Sequence, residues 1–379
     1  MSVNAINIHD LKKLAKRRLP RPAFDYLDGG ADDEQAMANN QSAFARYRMV
    51  PRVLEDVSHI DMSTKLLGQT LSMPLIVSPL GQQRMFHHEA DRAGARAASR
   101  AETLFTLSSF SSFNIEQVAE ASNGPKMFQI YVMADDALNQ ANLRRAKAAG
   151  YQSVCLTVDS VIGGNRERDL RNGLTMPVKL TLSSMIEFAK HPVWVWRYLY
   201  GEGRDLANMD GAPQASDGQA FMTYLQSLAE RRLTWEHAER MIQAWDGPFA
   251  IKGISAVADA VKAAKIGASA IFISNHGGRQ MDSAPAPIDL VAEIRAAVGD
   301  KVELIVDGGI TRGSDIIKAL ALGADACAIG KAYGYGLAAA GEEGALRALE
   351  ILRAELQREM ILLGAANVEA VKSLEVKRL

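Results

Sequence analysis

Short apolar runs recur along most of this chain, each closed by a polar residue or a glycine and followed by a stretch with helical spacing. The runs are Leu75–Ser78, Leu104–Leu107, Met127–Val132, Val154–Asp159, Phe249–Lys252, Ala270–Ser274, Glu303–Asp307 and Ala326–Gly330. They are apolar at successive positions rather than at alternate ones, which predicts strands buried on both faces of a parallel sheet. Helices are expected at Glu89–Arg100, Ile115–Ala121 and Leu138–Ala149, in a segment that stops at Gly267, and from about Gly344 to Leu363. Eight buried strands alternating with helices predict an α/β fold, a closed (β/α)₈ TIM barrel over residues 71–363 rather than an open sheet.

Three segments fall outside this alternation. Residues 1–70 read as an N-terminal helical segment, with a basic amphipathic stretch at Leu11–Arg18, prolines at 20 and 22, and a short helix ending at Gly29-Gly30. Residues 177–235 are too long for an ordinary strand-to-helix loop and predict an insertion or lid after strand four. Their first half holds the aromatic run His191-Pro192-Val193-Trp194-Val195-Trp196-Arg197-Tyr198-Leu199-Tyr200. That run can pack back on the barrel or meet a membrane interface or a partner. Residues 364–379 form a tail, and the whole of 1–379 reads as a single domain.

Composition narrows the function. The 379 residues are 48% hydrophobic and 23% charged with a formal net charge of -1, so there is no electrostatic footprint for nucleic acid. Cys155 and Cys327 lie within apolar runs and are expected to be buried thiols, and no metal-ligand spacing is present. The His87-His88 pair is expected to be structural or superficial. Met1–Asp10 lacks the blocks of a secretory signal, and no apolar run reaches the roughly 20 residues that span a bilayer. The expected location is the cytoplasm.

In a barrel, chemistry collects at the carboxyl ends of the strands. Here those ends carry Ser78-Pro79, Ser108-Ser109, Gln129 with Tyr131, Thr157 with Asp159, Lys252, Ser274-Asn275-His276-Gly277-Gly278-Arg279-Gln280, Asp307-Gly308-Gly309 and Gly330-Lys331. Lys252 and Asp159 end apolar runs, where a charge costs stability unless it is paired or liganded. His276 can move a proton near neutral pH, and Arg279 can grip a carboxylate. Asp159 is the carboxylate expected beside His276, and Arg166 a second clamp. The glycine-rich turns after strands seven and eight, with Arg312 and Lys331, predict a phosphate site.

These residues resemble the FMN-dependent α-hydroxy acid dehydrogenase and oxidase family over nearly the whole chain. The match rests on Ser274–Gln280, Pro20–Gly30, Met73-Pro74 with Pro79, Thr106–Ser109, Gln129–Tyr131, Leu156–Asp159 and Lys318–Gly323. The branch it resembles most is that of bacterial L-lactate dehydrogenases, through His191–Trp196, Trp245–Pro248 and Ile251–Ile254. The resemblance implies oxidation of an L-2-hydroxy acid, lactate- or mandelate-like, to the 2-oxo acid. His276 would take the substrate proton while two electrons reach the flavin, with Asp159 stabilising the imidazolium. Arg279 and Arg166 would bind the carboxylate, and Tyr26 and Tyr131 would donate hydrogen bonds to the substrate. Lys252 would offset charge on the reduced ring. Pro79, Leu80, Gly81, Ser108, Gln129, Thr157 and Ser274 would line that ring, Asp307 would meet the ribityl chain, and Gly309, Arg312, Gly330 and Lys331 would hold the phosphate.

The sequence also departs from the family. Thr311 and Lys331 stand where the family often has arginine, and lysine binds phosphate as a point charge rather than a fork. Phe110 replaces a tryptophan or tyrosine in the substrate pocket, which favours a larger or more apolar substrate than lactate. Gly81, where oxidases of the family tend to carry alanine, points to a dehydrogenase. The aromatic insertion suits electron transfer to a membrane quinone, with the protein peripheral on the inner face of the cell membrane. The family resemblance further implies a homo-oligomer, a tetramer. The alternatives are an oxidase that reduces O₂ to H₂O₂, a flavin barrel acting on a non-carboxylate substrate such as a modified peptide, and a binding module without turnover.

Overall fold

The computed structural model describes residues 3–174, 180–203, 206–209 and 232–379. Eight parallel strands close into a barrel: β1 (Leu75–Val77), β2 (Phe105–Ser108), β3 (Lys126–Ile130), β4 (Ser153–Thr157), β5 (Phe249–Ile254), β6 (Ala270–Ser274), β7 (Glu303–Asp307) and β8 (Ala326–Ile329). Neighbours in sequence are neighbours in the barrel, and β8 pairs back to β1 through Cys327 and Leu75. Every expected strand is present, with ends shifted by no more than two residues. All residues of β1, β2, β3, β4, β6 and β8 are buried, which is why these runs are apolar without alternation. Cys155 and Cys327 are free and buried, as the sequence predicts.

The helix after β8 differs from its expected bounds. It runs from Lys331 to Leu362, starting directly at the strand end, and is kinked where Ala340 and Gly341 leave helical geometry. The half-buried ring of His87 packs against Gly341 at that kink. Burial, with His88 beside it, pushes His87 down to about 4, so it is neutral at physiological pH. Donor atoms of His87, His88 and Glu89 lie within 4.8 Å of one another, and the Glu89 carboxylate is held by Arg96 at 2.6 Å.

The N-terminal segment contains the expected helices at Ile8–Arg18 and Arg21–Asp28, a further helix at Gln35–Ser42, and short strands that were not expected. One of these, Tyr47–Met49, pairs antiparallel with Val376–Arg378, so the tail closes against the start of the chain. The helix Gln35–Ser42 and the turn before it close over the loop that follows β6. Ala31 N donates to Gly278 O at 2.8 Å, Ala36 N to Asp282 Oδ1 at 2.9 Å, and the Asn40 and Asn275 amides bond reciprocally at 2.8 and 2.7 Å. The N-terminal segment is thus a fixed wall of the barrel mouth.

Residues 177–179, 204–205 and 210–231 of the expected insertion lie outside the described residues. The described part holds helices Leu182–Ala189 and Pro192–Tyr200. One face packs back: Trp194 stacks between Phe188 and Tyr198, and its Nε1 donates to Met85 O at 3.0 Å. The other face leaves Leu182, Met185, Ile186, Val193, Trp196, Leu199 and Tyr200 exposed. The return to the barrel thus holds for one face of the helix pair, and the other face is exposed and apolar.

Candidate active site

The carboxyl ends of the strands open into one cavity of about 420 Å³. Of the residues singled out from the sequence, Tyr26, Pro79, Leu80, Gly81, Ser108, Phe110, Tyr131, Thr157, Arg166, Lys252, His276, Arg279, Asp307, Gly309, Gly330 and Lys331 line it. Asp159, Gln129 and Ser274 stand directly behind that lining.

His276 adopts a left-handed backbone with φ of 59°, uncommon outside glycine and typical of strained functional positions. This turn brings its Nδ1 to 2.9 Å from Asp159 Oδ1. Burial works to raise the Asp159 carboxyl, but His276 and then Lys252 outweigh it and hold the group ionised. Asp159 reaches this position because β5 bulges at Gly253, where φ is 103° and a Cβ would come within 2.5 Å of Asp159 Cγ.

Two guanidiniums share the ring of Tyr26, Arg166 at 5.3 Å and Arg279 at 5.1 Å from its centroid. Arg279 is anchored by the Tyr26 and Gly29 carbonyls at 2.6 and 3.1 Å, and Arg166 by Asp169 at 3.4 Å. Burial, with Arg166 beside it, lowers Arg279, as expected where two like charges await an anion. Tyr131 is partly buried at the cavity wall, and burial followed by the Asp159 charge pushes its phenol well up, so it remains a hydrogen-bond donor. Phe110 stacks on Tyr131 at 4.8 Å, and a Cβ on Gly81 would stand 3.2 Å from Phe110 Cβ. Gly81 is therefore what lets the Phe110 wall approach.

Lys252 is buried and forms a 2.7 Å ion pair with Asp307, whose carboxylate also accepts from Ser78 and Ser274. Burial opposes its charge, but Asp307 and Asp159 raise it, so a permanent cation stands on the cavity floor. Beside it, Gln129 Nε2 and Thr157 Oγ1 are buried without a partner among the described residues. Orphaned polar groups around a fixed cation fit the heteroatom edge of a flavin ring.

At the opposite end the expected phosphate contacts divide. Lys331 lines the cavity and donates to the Asp28 and Gly29 carbonyls at 2.9 and 3.2 Å. Arg312 does not line it. Its guanidinium turns outward to Glu355 at 2.7 Å, and the Thr311 and Arg312 N–H groups are taken by Asp315. The structure thus pairs Arg312 with an acidic residue 43 positions further on instead of bringing it to the cavity lining with Lys331. Not singled out from the sequence were Ser160, which touches the His276–Asp159 pair, Gln280, which donates to Ser160, and Gly253, which makes room for Asp159. Gln280 lay in view at the end of the strand-six loop, whereas Ser160 had only its place next to Asp159 as a signal.

A parallel barrel whose mouth joins an imidazole–carboxylate pair, two half-buried arginines, a floor lysine and glycine-rich turns beside Lys331 defines a flavin-dependent oxidoreductase. Residues 15–378 match the FMN-dependent dehydrogenase family. The chain is 39% identical to the L-lactate oxidase of a Nostoc species, over 97% of this chain and 96% of that protein. It is 36% identical to the glycolate oxidase of Spinacia oleracea, over 96% and 94%. The monotopic membrane protein (S)-mandelate dehydrogenase superposes with a TM-score of 0.93 at 33% identity, covering 100% of both chains. The chain belongs to the FMN-dependent α-hydroxy acid dehydrogenase and oxidase family, and its cofactor is FMN.

Proposed function

We propose that the protein oxidises L-2-hydroxy acids bearing a bulky apolar side chain and passes the electrons to an acceptor at a membrane surface. FMN-dependent oxidation of a 2-hydroxy acid is the family's reaction. Arg166 and Arg279 bind the substrate carboxylate, and Tyr131 and Tyr26 donate hydrogen bonds to it or to the hydroxyl. His276 Nε2 receives the hydroxyl proton, while Asp159 steadies the positive charge that the imidazole then carries. FMN, when bound, would supply the acceptor for the hydrogen on the substrate's carbinol carbon together with its electron pair. Lys252, Gln129 and Thr157 would hold its ring, Asp307 its ribityl chain, and Gly309, Gly330 and Lys331 its phosphate.

The observation that carries the substrate reading is an apolar wall, Phe110, Met133, Val161, Ile162 and Leu233, in the same cavity as the base and both arginines. Such a wall gains little from a methyl group and more from a ring. Solved relatives named as mandelate oxidases, 34–35% identical, support the same reading. Anaerobic bleaching of the flavin by a panel of L- and D-2-hydroxy acids tests it. (S)-Mandelate should reduce the flavin faster than L-lactate, and the D-acids should not reduce it; faster reduction by lactate would overturn it. Gly81 favours a dehydrogenase, so oxygen uptake during turnover should be slow beside reduction of a soluble quinone.

No helix among the described residues is long and apolar enough to cross a membrane. The exposed apolar face of Leu182–Ala189 and Pro192–Tyr200, with Trp196 at 64% and Leu199 at 63% exposure, supports a peripheral contact. Co-sedimentation with lipid vesicles should be lost in the double variant Trp196→Glu, Leu199→Glu, while flavin reduction in solution persists. Equal sedimentation of the variant would refute the contact.

A further inference from the structure

We propose that Ser160, fixed by Gln280, is a positioning residue that keeps His276 in the protonation form able to act as the base. The inference rests on His276 being that base. Ser160 is the first residue after Asp159, and its Oγ stands 3.2 Å from Asp159 Oδ1 and 3.2 Å from His276 Nδ1. Gln280 Nε2 donates to the same oxygen at 2.6 Å, and Gly164 N donates to Gln280 Oε1 at 2.6 Å. Tyr131 is also within hydrogen-bonding reach of Ser160.

A hydroxyl has one hydrogen to give. The Gln280 amide is oriented by the Gly164 N–H, so its NH₂ faces Ser160 and occupies one lone pair of Oγ. When His276 Nδ1 carries its hydrogen toward Asp159, Nδ1 cannot accept, and the Ser160 hydrogen falls to Asp159 Oδ1 or to Tyr131. The chain then runs in one direction: Gly164 N–H to Gln280, Gln280 to Ser160, Ser160 to Asp159, and His276 Nδ1–H to the same Asp159 oxygen. The other carboxylate oxygen, Oδ2, is buried without a partner among the described residues, so Oδ1 takes both donors. This order leaves His276 Nε2 unprotonated, as the base requires. It also ties the base to the loop 160–164, whose Val161 and Ile162 line the cavity.

A second donor on Asp159 also tempers the carboxylate's pull on the imidazolium. The charged or titratable groups that act on this pair are Tyr131 from the end of β3, the Cys155 thiol of β4 and Lys252 from β5, while Arg166 and Arg279 from the two flanking loops line the same cavity. Each of these groups is retained when Ser160 is replaced, so a shifted acid limb of the kcat profile reports the loss of the Ser160 hydroxyl.

The test compares kcat and KM across pH for the holoenzyme and for Ser160→Ala, Ser160→Thr and Gln280→Met, each with its FMN content measured. Ser160→Ala should lower kcat about tenfold with KM nearly unchanged and move the acid limb of the kcat profile to higher pH. Ser160→Thr should restore both values, and Gln280→Met should shift the limb in the same direction. The inference is overturned if Ser160→Ala and Gln280→Met, carrying full FMN, give the wild-type profile with kcat within twofold. A loss of kcat that Ser160→Thr does not restore and that leaves the acid limb in place also overturns it.

Discussion

Gly253 and Asp159 are packed so closely that any side chain at 253 would displace the carboxylate: a Cβ there would stand 2.5 Å from Asp159 Cγ. The bulge of β5 that creates this contact separates Lys252, which faces the cavity floor, from Ile254, which returns to the barrel wall. Gly253→Ala is predicted to cost about 1–3 kcal/mol of stability through overlap, with further strain from its φ of 103°. It should also lower kcat about 10²-fold by misplacing Asp159. Denaturant unfolding and steady-state kinetics check the two effects, and Thr157→Ser, two residues from Asp159 but free of overlap, serves as a control for stability.

Asp91 is a buried carboxyl that takes no part in the proposed chemistry. Its Oδ2 accepts from Ser112 N at 2.9 Å, which holds the loop carrying Phe110, while Oδ1 has no partner. Burial pushes this carboxyl up to about 7 from 3.8 in spite of the Ser112 bond. Between those values the folded protein binds a proton that the unfolded chain does not, so stability falls as pH rises from about 4 to 7 and levels off above. Asp91→Asn removes that slope. The variant should gain stability over wild type at pH 8, by up to about 4 kcal/mol, and by less than half as much at pH 5, as thermal melts at the two pH values will show.

Lys331 is the cation lining the phosphate end of the cavity, and burial, with Arg279 beside it, pushes its ammonium down to about 7. Above that pH, binding of the FMN phosphate must recruit a proton, so affinity should decline as pH climbs past about 7. Lys331→Met should weaken FMN binding by about 10–100-fold at pH 6.5 and flatten the dependence. Arg312→Met should leave affinity within about threefold, since its guanidinium pairs with Glu355. Flavin fluorescence quenching on the apoprotein reads all three.

Much of this architecture was legible in the chain. Strands buried on both faces leave apolar runs that need no alternation, so all eight were visible, and polar residues closing those runs pointed to the mouth. The legible site residues were those whose chemistry is costly to bury, Lys252, Asp159 and His276. The rest depends on contacts distant in sequence. Glu355 decides where Arg312 points, Gln280 decides where the Ser160 hydroxyl points, and Val376–Arg378 gives the strand Tyr47–Met49 its partner. Gly253 is silent as a letter, because its role is the volume it leaves to Asp159.

The central claim is that His276, paired with Asp159, removes the proton from a 2-hydroxy acid gripped by Arg166 and Arg279. Its most direct test is stopped-flow anaerobic reduction of the bound flavin by (S)-mandelate in wild type and in His276→Ala carrying a full complement of FMN. The account predicts that the variant's rate of flavin bleaching falls by about 10²–10⁴-fold while the flavin stays bound. Bleaching within tenfold of the wild-type rate would contradict it.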